Sequence, residues 1–112
     1  MNITRLMPQI LLVTMLAWAA GCATPNPLAG WKVYFHEPDQ TITNDYRDYI
    51  QKLPPKERKY AGGIQYFEDG TGELAIKIEI PLNGTSWQHV LIYDKNNKRI
   101  KTIKYSSGSY RS

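Results

Sequence analysis

The chain has 112 residues, with 14 Lys and Arg against 10 Asp and Glu, so its formal net charge is +4. Loss of a 21-residue leader would leave 112 − 21 = 91 residues. That length makes one small domain and excludes a doubly wound nucleotide-binding fold or a barrel of roughly 250 residues. A nucleic-acid-binding domain usually shows a denser basic cluster, so we expect no nucleic-acid partner. The single cysteine, Cys22, excludes an intrachain disulfide and a site of several thiolates.

The N-terminus has the pattern of an export signal. Arg5 precedes the apolar run ILLVTMLAWAA, residues 10–20. These 11 residues would span about 16 Å as a helix, well short of the ~30 Å hydrocarbon core of a bilayer. The run therefore predicts the apolar region of a secretory signal peptide rather than a transmembrane helix.

Small residues stand directly before the only cysteine. Ala19, Ala20, Gly21 and Cys22 resemble the lipobox of bacterial lipoproteins, in which Leu is preferred where Ala19 stands here. The resemblance implies a diacylglyceryl group on the Cys22 thiol and cleavage between Gly21 and Cys22, with residues 1–21 as the signal peptide. Two or three acyl chains would anchor the protein stably in a membrane. The residue after the cysteine is Ala23 and not Asp, and this implies a location on the periplasmic face of the outer membrane in a diderm host. An ordinary secretory signal peptide is the alternative.

The segment after the cysteine predicts a tether and then a strand. Residues 22–30 contain two prolines and no charge, which is typical of a short extended tether. The single domain is then expected over residues 31–112. WKVYFH, residues 31–36, alternates in polarity and predicts a strand.

One helix is predicted next. Thr43 or Asn44 is expected to cap it, with acidic residues in its first turn. Its apolar face follows the spacing i, i+3, i+4 and i+7 at Tyr46, Tyr49, Ile50 and Leu53. Pro54 and Pro55 should end it, and residues 56–60 add a single turn.

From Gly62 onward the period changes from 3.6 to 2, which predicts four strands. The turns are expected at Asp69-Gly70, at Asn83-Gly84 and over residues 94–98. Residues 74–82 alternate with Leu and Ile inward, whereas residues 86–94 are apolar on both faces and should be central. Ile100 and Ile103 do not share a period of two, which a bulge would reconcile. The tail from residue 106 is expected to be loosely held.

The element order predicts an α+β fold, with one helix packed on a small antiparallel meander of four to five strands. The shape resembles helix-plus-meander envelope modules such as the PepSY and beta-lactamase-inhibitor-like folds. The segments YFEDGTGELAIKIEI and VLIYDKNNKRIK also resemble short bacterial envelope proteins without assigned function. These resemblances imply no chemistry.

The candidate contact face combines two aromatic residues with the densest basic stretch. Its members are Trp87, Tyr93, Lys95, Lys98, Arg99, Lys101 and Lys104. We expect it to meet a protein partner or an anionic envelope polymer. A solvated hairpin face is the alternative.

His36 lies beside Glu37 and Asp39, and with His89 these residues make the rival hypothesis of a metal-binding or catalytic protein. A solvated loop at His36 and a sheet-lining His89 are the simpler interpretation. We therefore predict no catalytic residue, metal or cofactor. The expected function is a lipid-anchored envelope protein serving as a binding or structural module, or alternatively an inhibitor or accessory subunit of a periplasmic enzyme.

Overall fold

The computed structural model describes residues 26–109, and of 107–109 the backbone alone. The predicted signal peptide, Cys22 and residues 22–25 of the predicted tether lie outside this range. The elements are β1 (Lys32–Val33), α1 (Gln40–Gln51), α2 (Pro55–Arg58), β2 (Gly62–Glu68), β3 (Leu74–Leu82), β4 (Thr85–Tyr93) and β5 (Arg99–Ser109). The five strands form one sheet in the order β1-β2-β3-β4-β5, with every neighbouring pair antiparallel. The predicted α+β meander with one main helix is confirmed.

Helix α1 begins earlier than the sequence suggested. Asp39 is the N-cap, and its carboxylate accepts a hydrogen bond from the Thr41 N–H at 2.9 Å. The predicted caps, Thr43 and Asn44, lie inside the helix. The first turn was missed because its only large apolar residue is Ile42, which gives little periodic signal. The predicted apolar face is confirmed, because Tyr46, Tyr49, Ile50 and Leu53 all pack on one core.

The N-cap position predicts that Asp39 contributes more to the free energy of unfolding than Asn44 does. Asp39→Ala should lower the unfolding free energy by about 1 kcal/mol, because an N–H of the first turn loses its acceptor. Asn44→Ala removes only an exposed side-chain bond from Gln40 and should change it by less than ~0.5 kcal/mol. Urea denaturation of both variants tests this assignment, and a larger loss in Asn44→Ala would contradict it.

The two faces of the sheet carry separate apolar clusters. The helix-side core lies between α1 and the sheet, and its buried members are Ile42, Tyr46, Leu53, Ile76, Ile78, Ile80, Leu91 and Tyr93. The back core lies on the opposite face, and its buried members are Leu28, Ala75, Val90 and Ile92. Alternate residues of β3 and β4 contribute to the two cores, which is why residues 90–93 of β4 form an unbroken apolar run.

The back core corrects the predicted domain boundary. Leu28 is only 5% exposed and packs with Ala75, Val90 and Ile92. Its N–H is bonded to Asn26 Oδ1, and its carbonyl accepts from the Trp31 N–H at 3.0 Å. The folded domain therefore includes Leu28 before Trp31, and residues 27–30 form a turn that places Leu28 on the sheet instead of an extended tether.

The turns and the last strand agree with their local sequence. Asn83 and Gly84 both have positive φ, 52° and 80°, as a two-residue primed hairpin turn requires. In β5, Ile92 pairs with Lys101 but Tyr93 pairs with Arg99, so Ile100 is the extra residue of a bulge. Ile100 is 53% exposed and Ile103 packs on the back core, which confirms the predicted irregularity.

Two strand lengths differ from prediction. β5 continues to Ser109, so residues 106–109 belong to the sheet and not to a loose tail. β1 contains only two residues, and one further bond joins the Tyr34 N–H to the Tyr66 carbonyl at 2.8 Å. The chain then leaves the sheet edge towards the cap of α1, which leaves Phe35 87% exposed.

Candidate ligand site

A cavity of about 270 Å³ opens on the helix side of the sheet, beyond the part that α1 covers. It is lined by Glu57, Ile80, Leu82, Trp87, His89 and Lys104. We call it the His89 cavity. The sheet register explains why four of these side chains meet, since Ile80 pairs with Trp87 and His89 pairs with Lys104 across neighbouring strands. The turn formed by α2 adds Glu57 from above β3.

His89 is the most buried polar group of the cavity, with 4% of its surface exposed. Its Nδ1 lies 2.8 Å from the Tyr49 hydroxyl, and the two rings meet edge to face with centroids 5.9 Å apart. Burial lowers the pKa of His89, and the nearby Lys104 ammonium lowers this pKa further, against an opposite effect of Glu57. His89 is therefore neutral at pH 7.

Tyr49 determines which nitrogen of His89 remains for the cavity. Burial raises the pKa of Tyr49, so its hydroxyl keeps its proton and can donate to Nδ1 of His89. When the hydroxyl donates, the imidazole proton resides on Nε2, which is then a hydrogen-bond donor; when Nδ1–H donates to the hydroxyl, Nε2 is an acceptor. Among residues 26–109 no protein partner for Nε2 is found.

The walls of the cavity carry one carboxylate and one ammonium group. Glu57 is partly buried and Lys104 is exposed. The ion pairs found within residues 26–109 join Lys52 to Asp48 and Arg99 to Asp45, and neither includes Glu57 or Lys104. Both charges are thus available to a ligand. Together with the apolar floor, the cavity offers an acceptor, two donors and an aromatic surface.

The buried imidazole predicts a specific acid dependence of stability. The unfolded chain takes up a proton at His89 near the ordinary pKa of 6.5, whereas the folded protein does so only at lower pH. The unfolding free energy should therefore fall as pH drops below 6.5, by up to about 1.4 kcal/mol per pH unit from this residue. His89→Gln should remove that part of the decline between pH 7 and 5.5, whereas a His36→Gln control should keep it. Urea denaturation across this range measures both, and equal slopes in the two variants would contradict the prediction.

The predicted contact face is only partly a surface. Trp87, 38% exposed, and Lys104 both line the cavity. Tyr93 was a wrong choice, because it is fully buried and its hydroxyl donates to Asp45 at 2.6 Å. Both faces of the sheet are covered at this point of β4, which the alternation of its sequence does not reveal.

The basic ribbon is exposed but does not form one face. Lys95, Lys98, Arg99, Lys101 and Lys104 are all exposed. Lys101 lies opposite Ile92 on the back face, whereas Lys104 lies opposite His89 on the helix side. Arg99 pairs with Asp45 at 3.1 Å and lies over the Tyr49 ring. Lys101 and Lys104 therefore lie on opposite faces of β5, while Lys95 and Lys98 lie in the turn before it.

The structure does not bring the rival constellation together. His36 is exposed and contacts the Tyr34 ring, while Asp39 caps α1. Asp39 also lines a second cavity, of about 350 Å³, that includes neither His36 nor His89. Within residues 26–109 no group of three or more His, Cys, Asp or Glu residues is placed to hold a metal ion.

Three lining residues, Glu57, Ile80 and Leu82, were not singled out as site residues from the sequence. Ile80 and Leu82 were recognised only as inward residues of β3. Glu57 belongs to a four-residue helix whose position over the sheet is a tertiary feature. The one available signal was His89 itself, since alternation places it on the same face as Leu91 and Tyr93.

No known protein family, curated protein or solved structure matches the chain. No helix within residues 26–109 is long and apolar enough to cross a membrane.

Proposed function

We propose that this chain is a small lipid-anchored protein of the cell envelope that binds a small ligand in the His89 cavity. The cavity is the observation that carries the binding function. Small-molecule sites are concave and mostly apolar, with a few polar groups that fix the ligand's orientation. Ile80, Leu82 and Trp87 supply the apolar surface, and Glu57, His89 and Lys104 supply the polar groups.

The size of the cavity favours a small molecule over a protein surface. A standard protein–protein interface buries about 800 Å² on each partner and has no need of a recess. A recess of about 270 Å³ is close to the lower end of the small-molecule range, ~300–1,000 Å³. This consideration favours a ligand-binding module over an inhibitor or accessory subunit.

The anchor is supported by the sequence around Cys22 and by the place where the domain begins. Leu28, the first residue of the back core, follows Cys22 by 28 − 22 = 6 residues. Six extended residues reach at most about 20 Å. An acylated Cys22 would therefore hold the back of the sheet near the membrane surface, with the His89 cavity on the opposite face.

The intact mass of the full chain extracted from host membranes tests the anchor. The expected mass is that of residues 22–112 plus two or three acyl chains, and a Cys22→Ser variant should lack this species. A soluble, unmodified fragment would overturn the lipid anchor.

Ligand binding is tested separately by side-chain NMR signals of His89 and Trp87 in the full chain. Amino acids, monosaccharides, fatty acids and nucleosides serve as probes at millimolar concentration. At least one class should shift both signals, and a Leu82→Trp variant, which fills the cavity, should lose the shifts. Failure of all four classes would overturn the binding function.

A further inference from the structure

The two charged groups of the His89 cavity lie on either side of the interior strand β4, which carries His89. Lys104 stands on β5, His89 on β4, and Glu57 on α2 above β3. Neighbouring strands lie about 4.8 Å apart, so β5 is separated by roughly 10 Å from β3, the strand beneath α2. Positive and negative groups thus face one recess from opposite sides, with an imidazole between them.

We infer that the His89 cavity takes a small zwitterion with an apolar side chain, of the chemical class of the free α-amino acids. This inference rests on the proposed binding function. The ligand carboxylate accepts hydrogen bonds from the Lys104 ammonium and from the Nε2–H of His89. The ligand ammonium donates to the Glu57 carboxylate. The ligand side chain packs on Ile80, Leu82 and Trp87.

The hydrogen-bonding state of His89 supports a carboxylate on its side of the cavity. The Tyr49 hydroxyl bonds to Nδ1 at 2.8 Å, which leaves Nε2 for a ligand, and Nε2 donates in the tautomer in which the hydroxyl donates to Nδ1. His89 is 96% buried, so a ligand acceptor at Nε2 replaces solvent in a confined space. Hydrogen bonds in which one partner is charged are shorter and stronger than neutral ones. A ligand carboxylate bonded to both Lys104 and His89 makes two such charged hydrogen bonds.

Ligands with one charge or none fit the same walls less well. A simple anion such as a fatty acid would bring its carboxylate into a recess that already contains Glu57. A simple cation would be repelled by the positive charge of Lys104. A neutral apolar ligand would take both charged groups partly out of water without a partner, which costs free energy. Only a molecule with both charges satisfies each group.

The size of the recess favours a compact member of the class. A cavity of about 270 Å³ suits a single amino acid better than an extended peptide. The floor of two aliphatic side chains and one indole favours a branched aliphatic or aromatic ligand side chain over a polar one. L-Leucine is therefore the first probe.

A series of four leucine derivatives separates the contribution of each charge. The probes are L-leucine, leucinamide without the carboxylate, N-acetylleucine without the ammonium group, and N-acetylleucinamide without either. Binding to the full chain in detergent is followed by the NMR signals of His89 and Trp87. We expect L-leucine to bind about tenfold more tightly than each singly charged derivative, with N-acetylleucinamide weakest.

Variants assign each charge to its side chain. Lys104→Gln should weaken L-leucine binding about tenfold without weakening leucinamide binding, because leucinamide has no carboxylate and is itself repelled by Lys104. Glu57→Gln should weaken L-leucine binding equally without weakening N-acetylleucine binding, because N-acetylleucine has no ammonium group and is itself repelled by Glu57. Lys101→Gln is the matched control, because Lys101 lies on the opposite face of β5 and should change nothing.

The outcomes separate this inference from the proposed function. If N-acetylleucinamide binds as tightly as L-leucine, or if Lys104→Gln and Glu57→Gln bind L-leucine normally, the zwitterion is overturned and the binding function stands. The same holds if L-leucine causes no shift while a monosaccharide, fatty acid or nucleoside does. If no probe shifts either signal, both the ligand class and the binding function fall.

Discussion

Leu28→Ala is expected to lower the unfolding free energy by about 2–5 kcal/mol, the range for removal of a buried leucine side chain. Leu28 is 5% exposed and closes the back core over Ala75, Val90 and Ile92. Its loss would leave a cavity on a face that no helix of residues 26–109 covers, so few of the described neighbours can move in to fill the space. Such a loss would be a large share of the total stability of a domain this small.

The matched control for this change is Ile100→Ala, which removes an aliphatic side chain that is 53% exposed at the β5 bulge. It should alter the unfolding free energy by less than about 0.5 kcal/mol. Urea denaturation of the full chain and both variants gives the comparison. If Leu28→Ala lowers the unfolding free energy by less than Ile100→Ala does, Leu28 does not hold residues 26–30 to the domain and this segment is a tether.

Local periodicity was sufficient to predict most of the fold. The apolar face of α1 and the alternation of β3 follow directly from side-chain spacing, because each of these elements buries mainly one face, against the helix-side core. Asn83-Gly84 predicted a hairpin turn because Asn and Gly tolerate positive φ, and both residues have positive φ in the structure. Even the bulge at Ile100 was visible as a break in the period of two. These features depend only on neighbours in the chain.

The candidate site could be predicted much less well, because it depends on contacts between distant segments. Alternation assigned Tyr93 to a face but could not show that α1 covers this face at Asp45. Glu57 reaches the cavity through the placement of α2 over β3, which no local pattern encodes. The sequence around Leu28 predicts a tether because its neighbours are proline, alanine and glycine. In each case the missing information was tertiary.

The network around Tyr93 predicts the other large effect, on alkaline stability. Its hydroxyl donates to Asp45 Oδ2 at 2.6 Å, and the same oxygen accepts from Arg99 Nε at 3.1 Å. Burial and then the hydrogen bond to Asp45 raise the pKa of Tyr93 far above its ordinary 10.0. The Tyr46–Tyr66 hydroxyl contact, at 3.2 Å, and burial likewise raise the pKa of Tyr66 to about 12. Both residues stay protonated in the fold at a pH where the unfolded chain ionises.

The sign of the effect follows from proton binding. Above pH 10 the unfolded state releases the Tyr93 proton and the folded state retains it, so the unfolding free energy falls as pH rises. Tyr93 alone contributes a decline of about 1.4 kcal/mol per pH unit, and Tyr66 adds to it until its own pKa is reached. Below pH 10 this contribution to stability is fully present.

Tyr93→Phe should therefore have two separable consequences. At pH 7 it should cost about 1.5–3 kcal/mol, because the bond to the charged Asp45 is lost. Between pH 10 and 11.5 it should make the decline in stability shallower by about 1.4 kcal/mol per pH unit. Tyr60→Phe, at a half-exposed position, is the control and should keep the full decline. Urea denaturation at pH 7, 10, 11 and 11.5 measures both quantities. Parallel declines in Tyr93→Phe and the unmodified chain would show that Tyr93 ionises as freely in the fold as in the unfolded chain, and the hydrogen-bonded network of Tyr93, Asp45 and Arg99 would then have to be abandoned.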